Sequence, residues 1–191
     1  MSVGTLMLLA LNKPYGVLSQ FTPDHPGQRT LSEFRFPPNV YPLGRLDRDS
    51  EGLLLLSNEP GLNTKLLDPK NAHPRTYWAQ VEGEITEDAL QKLRNGVVIE
   101  GKMTLPAEAK RISPDLPPRD PPIRFRQNIP TSWIELTLLE GRNRQVRKMT
   151  ASVGHPTLRL LRVSIGQFQL HADLAPGHWR ELTSSERSQI L

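Results

Sequence analysis

The chain has 191 residues and no cysteine. That absence excludes disulfides, thiolate zinc sites, iron–sulfur clusters and a cysteine nucleophile. No apolar run approaches the roughly 20 residues a membrane-spanning helix needs. The N-terminal run Leu6–Leu11 has no basic leader and meets Asn12-Lys13-Pro14 at once, which argues against a signal peptide. A cytoplasmic protein with no membrane partner is expected. The sequence also lacks G-x-G-x-x-G, P-loop, G-x-S-x-G and H-E-x-x-H patterns. His25, His73, His155, His171 and His178 are scattered and never at helical metal-ligand spacing. Neither a nucleotide cofactor nor a metal is therefore expected, and a methyltransferase is disfavoured because no glycine-rich loop follows an early strand. A chain of this length buries roughly 70% of its unfolded surface without staples, which suits one domain over residues 1–191.

Charge is unevenly spread. Residues 1–112 carry 13 basic and 13 acidic side chains, whereas residues 113–191 carry 11 basic and 7 acidic, so the net +4 lies in the second part. Between Gly141 and Ala172 there are six arginines or lysines and no acid. A one-sided basic zone suits a polyanionic partner.

The pattern predicts an α+β chain with a largely antiparallel, mixed sheet and flanking helices and loops. Leu6–Leu11 reads as a buried strand closed by a turn at Lys13-Pro14-Tyr15-Gly16. Residues 22–39 read as loop around a short segment at Leu31–Phe34. The continuous run Leu53–Leu56 has the mark of a strand covered on both faces. Leu62 and Leu66 predict a short helix stopping before Pro69. Thr76–Val81 reads as a strand with Tyr77, Ala79 and Val81 on one face. Thr86 reads as an N-cap, with Gly96 just past the helix end and Ala89, Leu90 and Leu93 as its buried stripe. Val97–Ile99 and Thr104–Ile112 read as a hairpin around Gly101, and Ile134, Leu136 and Leu138 as one face of a strand. Leu158–Leu170 reads as a long strand or hairpin. The stretch 113–123 holds five of the 18 prolines and is the one linker-like segment, where two lobes would meet.

Three constellations carry chemistry. In Gly44-Arg45-Leu46-Asp47-Arg48-Asp49-Ser50-Glu51-Gly52, charged residues alternate on a glycine-bounded loop leading into the leucine run. A carboxylate so anchored and flanked by arginines stays ionised, available as nucleophile or base; a turn laced with surface ion pairs fits the same residues. In Gly141–Met149, a helical period puts Arg144, Arg147 and Lys148 on one face and Val146, Met149 and Val153 on the other. Such a basic stripe, with Arg142 just ahead of it, suits phosphate contacts, and one arginine could turn inward to a carboxylate. A solvated helix face is the plainer reading. Finally, Tyr77 beside Arg75 could stack on a base or simply fill the core.

Taken together, the chain resembles the RNA pseudouridine synthases, in particular the branch that modifies ribosomal RNA. Four segments match in order: Leu11-Asn12-Lys13-Pro14-Tyr15-Gly16; Gly44-Arg45-Leu46-Asp47 with the following Gly-Leu-Leu-Leu-Leu-Ser-Asn; the Tyr77 strand ending in Val81-Glu82-Gly83; and Gly141–Met149. The finer details at Asp47–Gly52, Pro121-Pro122-Ile123-Arg124 and Ile129–Trp133 are closest to members acting on the large subunit.

The resemblance implies a pseudouridine synthase fold with two lobes around a catalytic cleft. Its implied activity is isomerisation of uridine to pseudouridine in 23S ribosomal RNA, free or in a large-subunit assembly particle. Asp47 matches the family's nucleophile, Arg45 the side chain that fills the gap left by a flipped uridine, Tyr77 the tyrosine packed on the target base, and Arg147 the basic partner of the aspartate. Arg142, Arg144 and Lys148 come instead from charge and periodicity, as phosphate contacts. Relatives often have Lys where Arg75 stands, which preserves the charge. The small N-terminal RNA-binding domain of many relatives is not expected, since the first matched strand begins within ten residues of Met1, and a monomer is expected. Two other readings share the basic stripe: a non-catalytic RNA-binding or ribosome assembly factor, and a synthase acting on another RNA.

Overall fold

The computed structural model describes residues 6–71, 73–124 and 126–191. The chain divides into two compact units: residues up to His73 together with Val163–Leu191, and Pro74–Arg162. Both combine antiparallel strands with short helices, as the α+β expectation has it. Among the described residues no helix is long and apolar enough to cross a membrane.

In the first unit, strand Leu8–Lys13 pairs antiparallel with Glu51–Ser57 on one side and with Trp179–Glu181 on the other. Leu9 stands opposite Leu56 and Leu11 opposite Leu54. These four leucines share one face and pack with Val17, Leu31, Val40 and Leu46. Leu8, Ala10, Leu53 and Leu55 point the other way, among Leu62, Leu66, Ile165 and Phe168. The continuous leucine run therefore has a physical cause: both faces of its strand are covered, and Leu53, Leu54, Leu55 and Leu56 are wholly buried. Each contributes about 1.5–3 kcal/mol of hydrophobic stabilisation. The expected segment at Leu31–Phe34 is a 3₁₀ turn.

The closing strand Trp179–Glu181 and helix Ser184–Ser188 have no counterpart in the sequence reading. Three residues of Trp-Arg-Glu show no apolar alternation. The available signal was Thr183 three residues before Glu186, a capping box that the structure forms in full. Arg180 donates to both Glu186 carboxylate oxygens, at 2.8 and 2.6 Å. Those bonds, helped by Thr183, hold the Glu186 carboxyl down to about 2 against burial. A folded-state value below the ordinary one means the stabilisation is complete above the normal carboxyl range and fades as pH falls toward about 2. Urea denaturation should show wild type more stable than Glu186→Gln at neutral pH. The two curves should converge on acidification below about 4.5; a gap independent of pH would mean the ion pair contributes nothing.

In the second unit, strand Thr131–Leu138 lies between Arg75–Glu82 and Glu108–Ile112, antiparallel to both. Ala79 faces Ile134, and Tyr77 faces Leu136. This face packs on Ala89, Leu90 and Leu93 of helix Glu87–Asn95 and on Val146 and Met149 of helix Gln145–Ser152. Thr86 caps the first of these helices as expected, accepting from the Ala89 N–H at 3.2 Å. Strand Thr157–Ile165 lies beside Arg75–Glu82 and turns at Gly166 into Phe168–Gln169.

Two expectations are corrected. Only Val98–Ile99 and Lys102–Met103 form the hairpin around Gly101, and Glu108–Ile112 pairs with Thr131–Leu138 instead. Pro106 explains the break, since it has no N–H to continue the ladder. The proline-rich stretch 113–123 does not part the units: it lies wholly inside the second, and the divisions fall at 73/74 and 162/163. Arginines hold it there. Arg159 donates to the Pro117 carbonyl at 2.8 Å, and Arg119 to those of Pro121 and Pro122 at 2.8 and 3.1 Å. A segment poor in N–H groups still offers carbonyls, and guanidinium groups take them up.

Candidate active site

Asp47 sits half-buried in the first unit, on the loop between the two-residue strand Tyr41–Pro42 and Glu51–Ser57. The loop has little regular structure, yet it is held at nearly every residue. The Leu43 N–H donates to the Leu55 carbonyl at 2.8 Å, and the Gly44 N–H to Asn63 Oδ1 at 2.9 Å. The Ser19 hydroxyl donates to the Leu46 carbonyl at 2.7 Å and accepts from the Leu46 N–H at 3.1 Å. The Ser50 N–H returns to the Asp47 carbonyl at 3.0 Å, closing a turn. Leu43 and Leu46 are buried in the two different hydrophobic clusters, so the chain is anchored on opposite faces of the sheet. Arg45, between them, is exposed. Gly44, at φ 71°, supplies the left-handed bend that starts the loop.

A second turn supports this one. The Gly16 N–H donates to the Arg48 carbonyl at 2.8 Å. Gly16 is carried by the 13–17 turn, which Lys13 closes: its ammonium donates to the carbonyls of Pro14 at 3.1 Å and Val17 at 2.7 Å. Lys13 is fully buried, rare for a lysine and tolerable only with such partners. Sequence reasoning gave Lys13 a turn position but no role, and passed over Ser19. The signal for Lys13 was a lysine closing a strand otherwise apolar.

Tyr77, Arg142, Arg144, Arg147 and Lys148 all belong to the second unit. Tyr77 is half-buried on the core face of its strand, packed against the cluster around Ala79 and Met149. Gly141 leaves room for Arg75, whose Nη1 lies 3.6 Å from where a Cβ on that glycine would stand.

The basic helix departs from its expected form. It runs over Gln145–Ser152, and Arg144 is its N-cap with φ 51°, outside the helical period. Arg147 and Lys148 are half-buried rather than a bare outer stripe. Arg147 donates to the Thr157 carbonyl at 3.4 Å. Arg142 is engaged with Glu140 at 3.1 Å and with the carbonyls of Lys102 and Met103. Lys148 pairs with Glu100 at 2.6 Å. The stretch from Gly141 has no acid, but Glu140 immediately precedes it and the fold brings Glu100 in from another segment. Only Arg144 of the charge-derived set is exposed. Buried Gln145 organises the helix start, accepting from the Arg142 N–H at 2.9 Å and donating to Glu140 at 2.7 Å.

An ionisable carboxylate on a clamped loop and a basic segment leading into a helix beside a tyrosine-bearing strand are the parts of an RNA-modifying enzyme. The chain belongs to the RNA pseudouridylate synthase family, whose model matches residues 7–152, and it is an RNA pseudouridine synthase, isomerising uridine to pseudouridine. It is 55% identical to the ribosomal large subunit pseudouridine synthase E of Xanthomonas campestris pv. campestris over 177 residues, 91% of this chain and 94% of that protein. It is 52% identical to the synthase E of Vibrio parahaemolyticus, covering 92% of this chain and 73% of that one. The ribosomal large subunit pseudouridine synthase B of Bacillus subtilis is 39% identical over 94% of this chain and 69% of its own. A crystal structure of a pseudouridylate synthase superposes over 100% of this chain and 76% of that one, with TM-score 0.82 and 26% identity.

Proposed function

We propose that this protein isomerises one uridine of large-subunit 23S ribosomal RNA in the cytoplasm, with Asp47 as nucleophile. What supports the reading most is the clamped presentation of Asp47, together with the likeness to large-subunit synthases at more than half identity. The reaction breaks the C1′–N1 glycosidic bond, turns the uracil and rejoins it through C5. N1 gains a proton and C5 loses one, so the sum is an isomerisation. An ionised carboxylate serves by attacking either ribose C1′ or uracil C6 and departing again. The base must first leave its stack, at a cost of a few kcal/mol, which Arg45 in the vacated space and phosphate contacts offset. Tyr77 packs on the flipped uracil, and Arg147 is the cationic residue of the reaction.

The test is carbodiimide primer-extension mapping of unmodified 23S RNA, with 16S RNA and tRNA alongside. One new stop on 23S RNA is expected; stops confined to the other RNAs would reassign the substrate.

The exposure of the basic residues ranks them. Removing a phosphate ligand lowers the salt slope of binding by roughly one counterion. Arg144→Ala should do so in filter binding. Lys148→Ala should do less, because Glu100 already neutralises the ammonium. Equal slopes for wild type and Arg144→Ala would remove Arg144 from the interface.

A further inference from the structure

Arg162 is a buried charge that the mechanism above does not use, with only 4% of its surface exposed. Its place follows from the strands. The Glu82 N–H donates to the Pro156 carbonyl at 2.9 Å, joining the end of Arg75–Glu82 to the start of its neighbour Thr157–Ile165. Neighbouring strands joined end to start run antiparallel, so stepping back along one is stepping forward along the other. Steps of two residues keep to one face. Ala79 and Leu160 share the core cluster, so steps of two residues along each strand put Tyr77 and Arg162 on that same face. There the guanidinium donates to the Tyr77 side chain. Burial pushes the arginine's pKa down, the Tyr77 oxygen pushes it back up, and neighbouring Arg75 lowers it again.

We propose that Arg162 is a positioning residue for Tyr77, gripping the phenol oxygen so that the ring is already oriented when the flipped uracil arrives. The inference rests on Tyr77 being the residue that meets the base. A tyrosine ring turns about two bonds, and packing against the core cluster restrains it in part. A fixed donor at the far end of the ring restrains the rest, so little orientational freedom remains to be lost on RNA binding. Arginine suits the task because it keeps its charge when buried and presents donors in a rigid fork.

The test combines single-turnover isomerisation at saturating RNA, RNA affinity, and NMR of protein labelled with ¹³C at the tyrosine Cζ. There are three tyrosines, Tyr15, Tyr41 and Tyr77, so three lines are expected, and Tyr77→Phe assigns one of them. Arg162→Met should slow the chemical step by about 10- to 100-fold, the loss of one charged hydrogen bond. RNA affinity should stay within about twofold, because the phosphate ligands are untouched. The Tyr77 line should move while those of Tyr15 and Tyr41 stay. Arg162→Lys, which keeps a cationic donor, should recover part of the rate. If methionine is not tolerated in the buried site, Arg162→Gln replaces it with the same expected slowing. A wild-type rate in Arg162→Met or Arg162→Gln overturns the proposal. So does a slow variant whose three tyrosine lines all move and whose lysine counterpart is no better, since Arg162 would then serve the fold. If Tyr77→Ala, which removes the ring, is as fast as wild type, the role of Tyr77 itself fails; a slow Tyr77→Ala beside a fast Tyr77→Phe or a fast Arg162→Met removes only the role of Arg162.

Discussion

Asp47→Asn should bind RNA as tightly as wild type and leave its uridine unconverted. Asparagine is nearly isosteric with aspartate, and the variant keeps the backbone bonds that shape the loop. Ser50 bonds the residue 47 carbonyl, Ser19 both backbone groups of Leu46, and Gly16 the carbonyl of Arg48. The variant should therefore fold with an unchanged melting temperature. What it lacks is a nucleophile, and removing one from an active site costs about 10⁴-fold or more in rate. Primer extension on 23S RNA should lose its stop while filter binding stays the same. Retained turnover would show that the carboxylate is not the attacking group. Loss of binding and folding together would make Asp47 a structural residue.

Lys13→Met should be the most damaging conservative change away from the nucleophile. Methionine fills a similar volume but leaves the buried carbonyls of Pro14 and Val17 without their donor. Stranding buried acceptors of a charged donor costs about 3 kcal/mol, and in a protein of this size that lowers the melting temperature by roughly 6–12 °C. The effect should reach activity too. The 13–17 turn carries the Gly16 N–H that holds the Arg48 carbonyl one residue beyond Asp47. Calorimetry and single-turnover rates below the melting transition measure the two losses separately. A rate equal to wild type in a variant less stable by that amount would show that the turn supports the fold but not the nucleophile.

Much of this arrangement was legible beforehand, for identifiable reasons. The Leu53–Leu56 strand, the Thr86-capped helix and the Tyr77 face announce themselves through periods of burial and through caps, which are local signals. The loop that carries Asp47 was legible because glycines and arginines mark it out next to a buried strand. The basic segment was misjudged in detail because the partner of Lys148 is distant in sequence. Glu100 lies 48 residues from Lys148, and a window of neighbouring residues contains no trace of it. Arg144 as an N-cap was hidden for another reason: a left-handed backbone at an arginine has no side-chain signature. Arg162 looked like one more member of a basic zone, whereas its burial follows from the strand beside it. The Trp179–Glu181 strand was invisible because its edge position, not its own composition, makes it a strand.

The clamps around Asp47 also bear on how such an enzyme can change its target. Leu43, Leu46, Ser19 and Asn63 fix the course of the backbone, while Arg45 extends into solvent from the middle of that frame. Substitution at position 45 therefore alters what the loop offers to RNA without relocating the carboxylate two residues away. On the proposed role of Asp47, retargeting can proceed through exposed positions one at a time, each intermediate keeping the carboxylate in place. An ancestral chain built this way had no need to lose its chemistry in order to acquire a new uridine.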